Sequence, residues 1–159
     1  MFTKVILWLF VLNLGVVCGA GLYEARISVP RWMDASSEVG PRWRPDEAHR
    51  DDVGRRFWAF TTTVPLTLLT VLNLWLAWRS SGEIRAWWLA AGAAALGDRL
   101  FTFAYFIPRM VRLMGMPDSP EARAGIAQWS HLSGLRQLLI LVAWVTAIHS
   151  LGLLYRSRS

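Results

Sequence analysis

The chain has 159 residues, 54% of them hydrophobic, and its mean hydropathy of +0.33 is positive. A soluble domain of this length carries more charge and fewer tryptophans than the ten present here. The formal net charge of +6 does not indicate nucleic-acid binding, because the basic residues lie at the ends of apolar segments and in one mixed loop. Composition therefore excludes a soluble nucleic-acid-binding domain and predicts an integral membrane protein.

Four apolar segments are each long enough, at ~1.5 Å per residue, to cross a ~30 Å hydrocarbon layer. The predicted fold is all-α: a single membrane domain over residues 1–159, folded as an antiparallel bundle of four transmembrane helices. The first segment also has features of a signal peptide, but its length favours a retained helix. The predicted helices cover residues 5–23, 57–78, 86–107 and 132–155.

Two features inside these helices predict how they pack. Gly15 and Gly19 have the small-xxx-small spacing that lets a second helix approach closely. Pro65 should bend the second helix, and the threonines at positions 61–63 can hydrogen-bond to the carbonyls that such a bend frees.

The distribution of basic residues predicts the orientation in the membrane. Because short loops weigh most in the positive-inside rule, both termini are expected in the cytoplasm and the two longer loops outside. All basic residues except Lys4 are arginines, which is typical of a GC-rich bacterial genome and favours a bacterial cytoplasmic membrane. The short segments assigned to the cytoplasm contain one acid, Glu83, and five basic residues: Lys4, Arg79, Arg85, Arg156 and Arg158.

The first long loop, residues 24–56, contains as many arginines as carboxylates. It is too rich in tryptophan to be disordered. Trp32 and Trp43 stand among three prolines, so the loop is predicted to form a compact cap over the outer mouth of the bundle.

Polar residues at membrane depth predict the functional site, because ionisable groups there are costly unless they are paired or face a cavity. Asp98 and Arg99 lie near the middle of the third helix. Asp98, Thr102, Tyr105 and Arg109 recur at helical spacing, so a polar stripe should run from the bundle interior toward the outer mouth.

The outer ends of the first and fourth helices contribute further polar and aromatic groups to the same mouth. A cavity with convergent charges and aromatic walls is the usual place for a small-molecule site, and a histidine beside a carboxylate can act as acid or base. The alternative is that Asp98 forms a structural ion pair with a neighbouring arginine. The predicted catalytic residues are His131, Arg136 and Glu24, and the predicted substrate-binding residues are Tyr23, Arg26, Asp98, Thr102, Tyr105, Arg109 and Trp129.

No cofactor and no metal is expected. Histidines and carboxylates show no recognised ligand spacing within one helix, and Cys18 is the single cysteine. His131 and His149 lie at opposite ends of the fourth helix, which does not fit a bis-histidine haem. The expected partners are the membrane and a hydrophobic small molecule or lipid, with homo-oligomerisation left open.

The chain resembles the anthrone oxygenase-like family of small four-helix integral membrane proteins. The resemblance is carried by the segments Gly21-Leu22-Tyr23-Glu24, Val29-Pro30-Arg31-Trp32 and Phe106-Ile107-Pro108, followed by Trp129, His131 and Arg136. It implies an oxidoreductase that oxidises phenolic anthrones with dioxygen and without a cofactor. His131 would then be the base, and Arg136 or Arg109 would hold the resulting anion.

Three functions follow as hypotheses. The first is a membrane-embedded oxygenase that acts on a hydrophobic aromatic compound near the outer membrane face. The second is a non-catalytic membrane module that binds a lipid or a partner membrane protein. The third is a transporter or channel subunit, which would require several copies because four helices make a poor pore.

Overall fold

The computed structural model describes residues 2–34 and 41–156. This part of the chain is all-helical and contains no strand, which confirms the predicted all-α class. Its helices are α1 (Phe2–Trp32), α2 (Pro45–Asp51), α3 (Gly54–Trp78), α4 (residues 83–114) and α5 (Pro120–Arg156). Three of them, α1, α3 and α5, are long and apolar enough to cross a membrane.

The four long helices pack side by side in the cyclic order α1, α3, α4, α5. Near one end of α1 the Trp8 indole donates to the Tyr155 hydroxyl of α5 at 3.2 Å. Farther along α1 the Gln137 amide donates to the Cys18 carbonyl. Residues early in α1 thus meet residues late in α5, so these two helices are antiparallel.

Two apolar clusters lie one above the other along the bundle. The bundle core holds residues from all four long helices, including Leu14, Leu66, Trp88 and Ile140. Gly15 lies against the Trp144 indole there, as expected for a close helix contact, whereas a Cβ on Gly19 would meet nothing within 4 Å among the described residues. The cap core lies at one end of the bundle, where the end of α1, the end of α4 and the start of α5 meet α2, and it contains Val29, Trp32, Trp43, Ala48, Phe106, Leu113, Ala122, Ile126 and Trp129.

The segment after α1 is held against the turn that joins α4 to α5. The buried Trp43 donates its indole N–H to the Leu113 and Met116 carbonyls at 3.1 and 3.2 Å. Its backbone N–H donates to Asp118 at 3.0 Å. The side-chain hydrogen bond from Arg123 and the one from this N–H lower the pKa of Asp118 to about 2.

Several helix ends differ from the sequence prediction. The predicted loop at 24–56 is wrong at its start, because α1 continues as helix to Trp32; residues 35–40 of that loop lie outside the described residues. Helix α5 begins at Pro120 and runs without a break into the span predicted from residue 132. Its start has a local cause: the Ser119 hydroxyl accepts the Ala122 backbone N–H at 3.1 Å, and a proline suits the first helical position.

Prolines inside the helices explain three short π-helical segments. Glu24–Ser28, Gly54–Thr63 and Thr102–Phe106 each end two residues before a proline, at positions 30, 65 and 108. A proline lacks an N–H and crowds the carbonyl four residues earlier, so a locally widened turn relieves the conflict. For Pro65 the freed carbonyl belongs to Thr61, and it accepts the Asn13 side-chain amide at 2.9 Å.

Candidate functional site

Four charged side chains from three helices meet between the bundle core and the cap core. This charged cluster consists of Glu24 on α1, Asp98 and Arg99 on α4, and Arg136 on α5. Asp98 is fully buried and Arg99 is 4% exposed. Because charges at such depth are costly, their mutual neutralisation is what makes the arrangement tolerable.

Asp98 interacts with both arginines of the cluster, through a different oxygen atom in each case. One of its oxygens, Oδ2, accepts two hydrogen bonds from Arg99, with the Nε distance at 2.9 Å. The other oxygen, Oδ1, lies 3.9 Å from Nε of Arg136. That separation gives Coulomb attraction without a hydrogen bond.

Arg136 is held by aromatic rings as well as by carboxylates. Its Nη2 lies 3.9 Å from Glu24 Oε2, and its guanidinium carbon lies 4.6 Å from the centre of the Phe106 ring. Glu24 also accepts the Trp58 indole N–H at 2.9 Å. A guanidinium stacked on rings is stabilised by their negative faces, so Arg136 is fixed in position inside the bundle.

A cavity of about 600 Å³, the junction cavity, lies beside the charged cluster. Glu24, Arg99 and Arg136 form its polar end together with Thr102. Aliphatic, methionine and aromatic side chains make most of the remaining wall: Val17, Trp32, Ala48, Val53, Trp58, Ala59, Phe106, Ile107, Met110, Val111, Met114 and Trp129. At the end nearest the cap, the wall includes His49, Asp52 and Arg55.

Three polar atoms at the end beside the charged cluster are buried and have no hydrogen-bond partner among the described residues. They are Asp98 Oδ1, Arg99 Nη1 and Thr102 Oγ1. Arg99 and Thr102 both line the junction cavity. An unpartnered buried donor costs free energy comparable to a lost hydrogen bond, so Arg99 Nη1 and Thr102 Oγ1, which belong to lining residues, are the candidate donors to an oxygen atom of a bound molecule.

The structure brings together only part of the predicted site. Glu24, Arg136, Thr102 and Trp129 line the junction cavity, and Asp98 lies directly behind it. These residues come from three separate helices, α1, α4 and α5, and lie around one interior space.

His131, Tyr23 and Arg26 lie elsewhere. All three are exposed on the outer surfaces of α5 and α1, apart from the described residues that line the junction cavity. Two residues after Trp129, His131 points to nearly the opposite side of α5, since a helix turns by about 100° per residue. The histidine predicted as a base therefore does not reach the cavity.

Tyr105 and Arg109 do not line the junction cavity, and both are half-buried apart from it. The Tyr105 hydroxyl and Arg109 Nε are buried without a hydrogen-bond partner in the described part of the chain. Arg109 lies close to Gly125 of α5, where a Cβ would approach its guanidinium to 2.9 Å. The predicted polar stripe thus divides after Thr102, and its outer half leaves the junction cavity.

Of the cavity residues absent from the predicted site, three belong to the charged cluster or contact it: Arg99, Trp58 and Phe106. A signal for two of them exists in the sequence. Arg99, Thr102, Phe106 and Met110 follow a helical spacing of three, four and four residues, which marks one face of α4. Trp58 has no comparable signal, because its contact with Glu24 depends on how α3 packs against α1.

No protein-family model, curated protein or solved structure matches this chain. Within residues 2–34 and 41–156, no group of three or more His, Cys, Asp or Glu side chains is arranged to hold a metal ion. The junction cavity and the charged cluster are therefore the features of the described residues that bear on function.

Proposed function

We propose that the chain is a four-span integral membrane protein that binds a hydrophobic small molecule in the junction cavity. Helix α4 would be the fourth span, between α3 and α5, with Asp98 and Arg99 paired inside the bundle instead of facing lipid. The basic short segments favour a cytoplasmic location for both termini, with the cap outside.

The observation that carries this proposal is the combination of a large apolar cavity with a small polar end. Pockets that bind drug-sized molecules measure about 300–1,000 Å³ and are mostly apolar, with a few polar groups that set orientation. The junction cavity has about 600 Å³, and its wall is mostly apolar between the charged cluster at one end and His49, Asp52 and Arg55 at the end nearest the cap. A molecule with an apolar body and an oxygen-bearing group would fit both parts.

A purely structural ion pair explains less of the arrangement. Such a pair would satisfy its own hydrogen-bonding groups, yet Arg99 Nη1 and Thr102 Oγ1 are left without partners among the described residues. An oxygen of a bound molecule would accept from Arg99, which can only donate. Binding therefore accounts for the space and for the unpartnered groups together.

The test is what co-purifies with the protein. The wild-type protein, purified in mild detergent, should retain a small hydrophobic molecule that native mass spectrometry detects. Ala59→Phe places a ring in the cavity wall and should abolish retention, whereas Ala127→Phe, at an exposed position on α5, should not. Equal occupancy in all three proteins would show that the cavity is not the binding site.

A second candidate function is the oxygenase reaction, and one observation favours it. The Glu24 carboxylate lines the cavity 3.9 Å from Arg136, so a base and a cation face the same space. Glu24 would remove a proton from an acidic carbon of a bound anthrone, and Arg136 would stabilise the resulting anion. Anthrone and one O₂ would then give anthraquinone and one water.

This reaction is tested by oxygen uptake with anthrone as substrate. Wild-type protein should form anthraquinone faster than protein-free vesicles, and Glu24→Gln should remove the excess rate. His131→Ala serves as the matched control, because the exposed His131 lies away from the cavity and its loss should leave the rate unchanged. Loss of turnover in His131→Ala, with Glu24→Gln active, would reverse the assignment.

A further inference from the structure

We propose that the junction cavity opens sideways into the lipid bilayer between α3 and α4, so that its ligand enters from the membrane and not from water. The proposal rests on the proposed function, since it names where the ligand of that cavity comes from. It follows from the packing of α3 against α4, from the exposure of particular lining residues, and from the chemistry of the opening.

Helices α3 and α4 pack closely at one end and separate at the other. Toward the cytoplasmic end, the Trp88 indole donates to Asn73 at 3.0 Å, and Gly92 lies directly against the Leu74 side chain. The first part of α3, Gly54–Thr63, instead makes its helix contacts with α1. The Thr61 carbonyl and Trp58 indole both bond to α1 side chains there, so this part of α3 leans away from α4.

Lining residues that are also exposed show where the cavity opens. Ile107 is 42% exposed and Val111 is 66% exposed, yet both line the cavity from α4. Gly54 and Arg55 line it from α3 and are exposed as well. A residue that touches both the cavity and the outside lies at its mouth, so the mouth is the gap between these two helices, bordered at the cap end by His49 of α2, which lines the cavity and is exposed as well.

The side chains around this gap are suited to lipid. Ile107 and Val111 form its α4 side, and the neighbouring Phe103 is 48% exposed. On α3, the apolar side chains of Phe60 and Val64 are exposed as well. Exposed apolar side chains of this size would be unfavourable in water, whereas next to acyl chains they have no cost. Arg55 lies at the cap end of the gap, where headgroups or water would meet it.

The route can be tested without knowing the ligand, by labelling a cysteine placed inside the cavity. Thr102→Cys in a Cys18→Ser background puts a single thiol on the cavity wall. The native Thr102 is only 5% exposed. In proteoliposomes it would be treated with pyrene maleimide, which dissolves in the bilayer, or with a sulfonated maleimide, which stays in water. Asp46→Cys, on the exposed surface of α2, is the reference for water access.

The measured quantity is the ratio of the pyrene maleimide rate to the sulfonated maleimide rate. This ratio should be at least tenfold higher for the thiol at position 102 than for Asp46→Cys. Adding Val111→Trp at the mouth should slow pyrene labelling about tenfold, while Val142→Trp, at an exposed apolar position on α5, should not. Thr62→Cys, on the α3 wall of the cavity, repeats the test in case Thr102→Cys does not fold.

Three results would overturn the lateral opening: preferential labelling by the sulfonated reagent, no effect of Val111→Trp, or no labelling by either reagent. Each is distinct from failure of the proposed function. A ligand that co-purifies with wild-type protein and is lost in Ala59→Phe would still establish the cavity as the binding site, with entry from the aqueous cap instead.

Discussion

Replacing Asp98 with Asn should destabilise the protein by about 3–5 kcal/mol, because it removes one of two carboxylates that neutralise two buried guanidiniums. Asp98 is fully buried and accepts two hydrogen bonds from Arg99. Without its charge, Glu24 alone would face both arginines, leaving one positive charge uncompensated inside the bundle. That loss is a large share of a typical total stability of about 5–15 kcal/mol.

The measurement is thermal unfolding in detergent, followed by circular dichroism. For a chain of this size a loss of about 4 kcal/mol corresponds to a melting temperature roughly 10 °C lower. The matched control is Glu121→Gln, whose partner Arg112 is 3.5 Å away with both side chains about two-thirds exposed. Exposed pairs of this kind contribute about 0–1 kcal/mol, so the control should melt close to wild type.

A double variant separates the charge argument from simple loss of packing. Adding Arg99→Gln to Asp98→Asn removes the excess positive charge, so the double variant should be more stable than Asp98→Asn alone. If Asp98→Asn melts within a degree or two of Glu121→Gln, the pairing of buried charges is not what holds the cluster. If the double variant melts below both single variants, the loss comes from packing.

The remaining predictions concern the cap and the helix contacts. Trp43→Phe should cost about 1–3 kcal/mol in thermal unfolding, because two buried carbonyls lose their indole donor. The pKa of Asp118 is lowered to about 2 from 3.8, so its ionised carboxylate should stabilise the cap fully above about pH 4 and lose this contribution as the pH falls through 2. Proteolysis within the cap should therefore accelerate only at that acid end. Asp118→Asn should remove this pH-dependent acceleration. Gly92→Ala should lower the melting temperature, because the new Cβ would lie 2.7 Å from Leu74 Cγ. In Gly97→Ala, on the same helix, the new Cβ would meet no atom of the described residues within 4 Å, so this variant should melt at or above the wild-type temperature. A reversed order of the two glycine variants would contradict the close contact of α3 with α4.

Helical periodicity was sufficient to predict the charged cluster only in part. Trp129 and Arg136 are seven residues apart and therefore share one face of α5, and Val17 and Glu24 have the same relation on α1. His131 does not share that face, so the same rule would have removed it from the site. The preference for histidine as a base outweighed the geometry in that prediction.

The cap and the cavity were harder to predict because they depend on packing between distant segments. Trp43 was expected to cover the bundle mouth, but its hydrogen bonds go to a turn about 70 residues away in sequence. The extension of α1 through Pro30 required a π-helical turn, which sequence patterns rarely reveal. The cavity itself is a space left between helices, and no residue pattern specifies a gap.

Helix α5 has 37 residues and is therefore about 55 Å long. A hydrocarbon layer measures ~30 Å, so roughly 25 Å of this helix must stand clear of the acyl chains when it crosses a bilayer. That projecting end is rigid and continuous with the membrane span. In a bilayer it would offer an antibody fragment an accessible epitope, and so a reference point for imaging a particle of only 18.0 kDa.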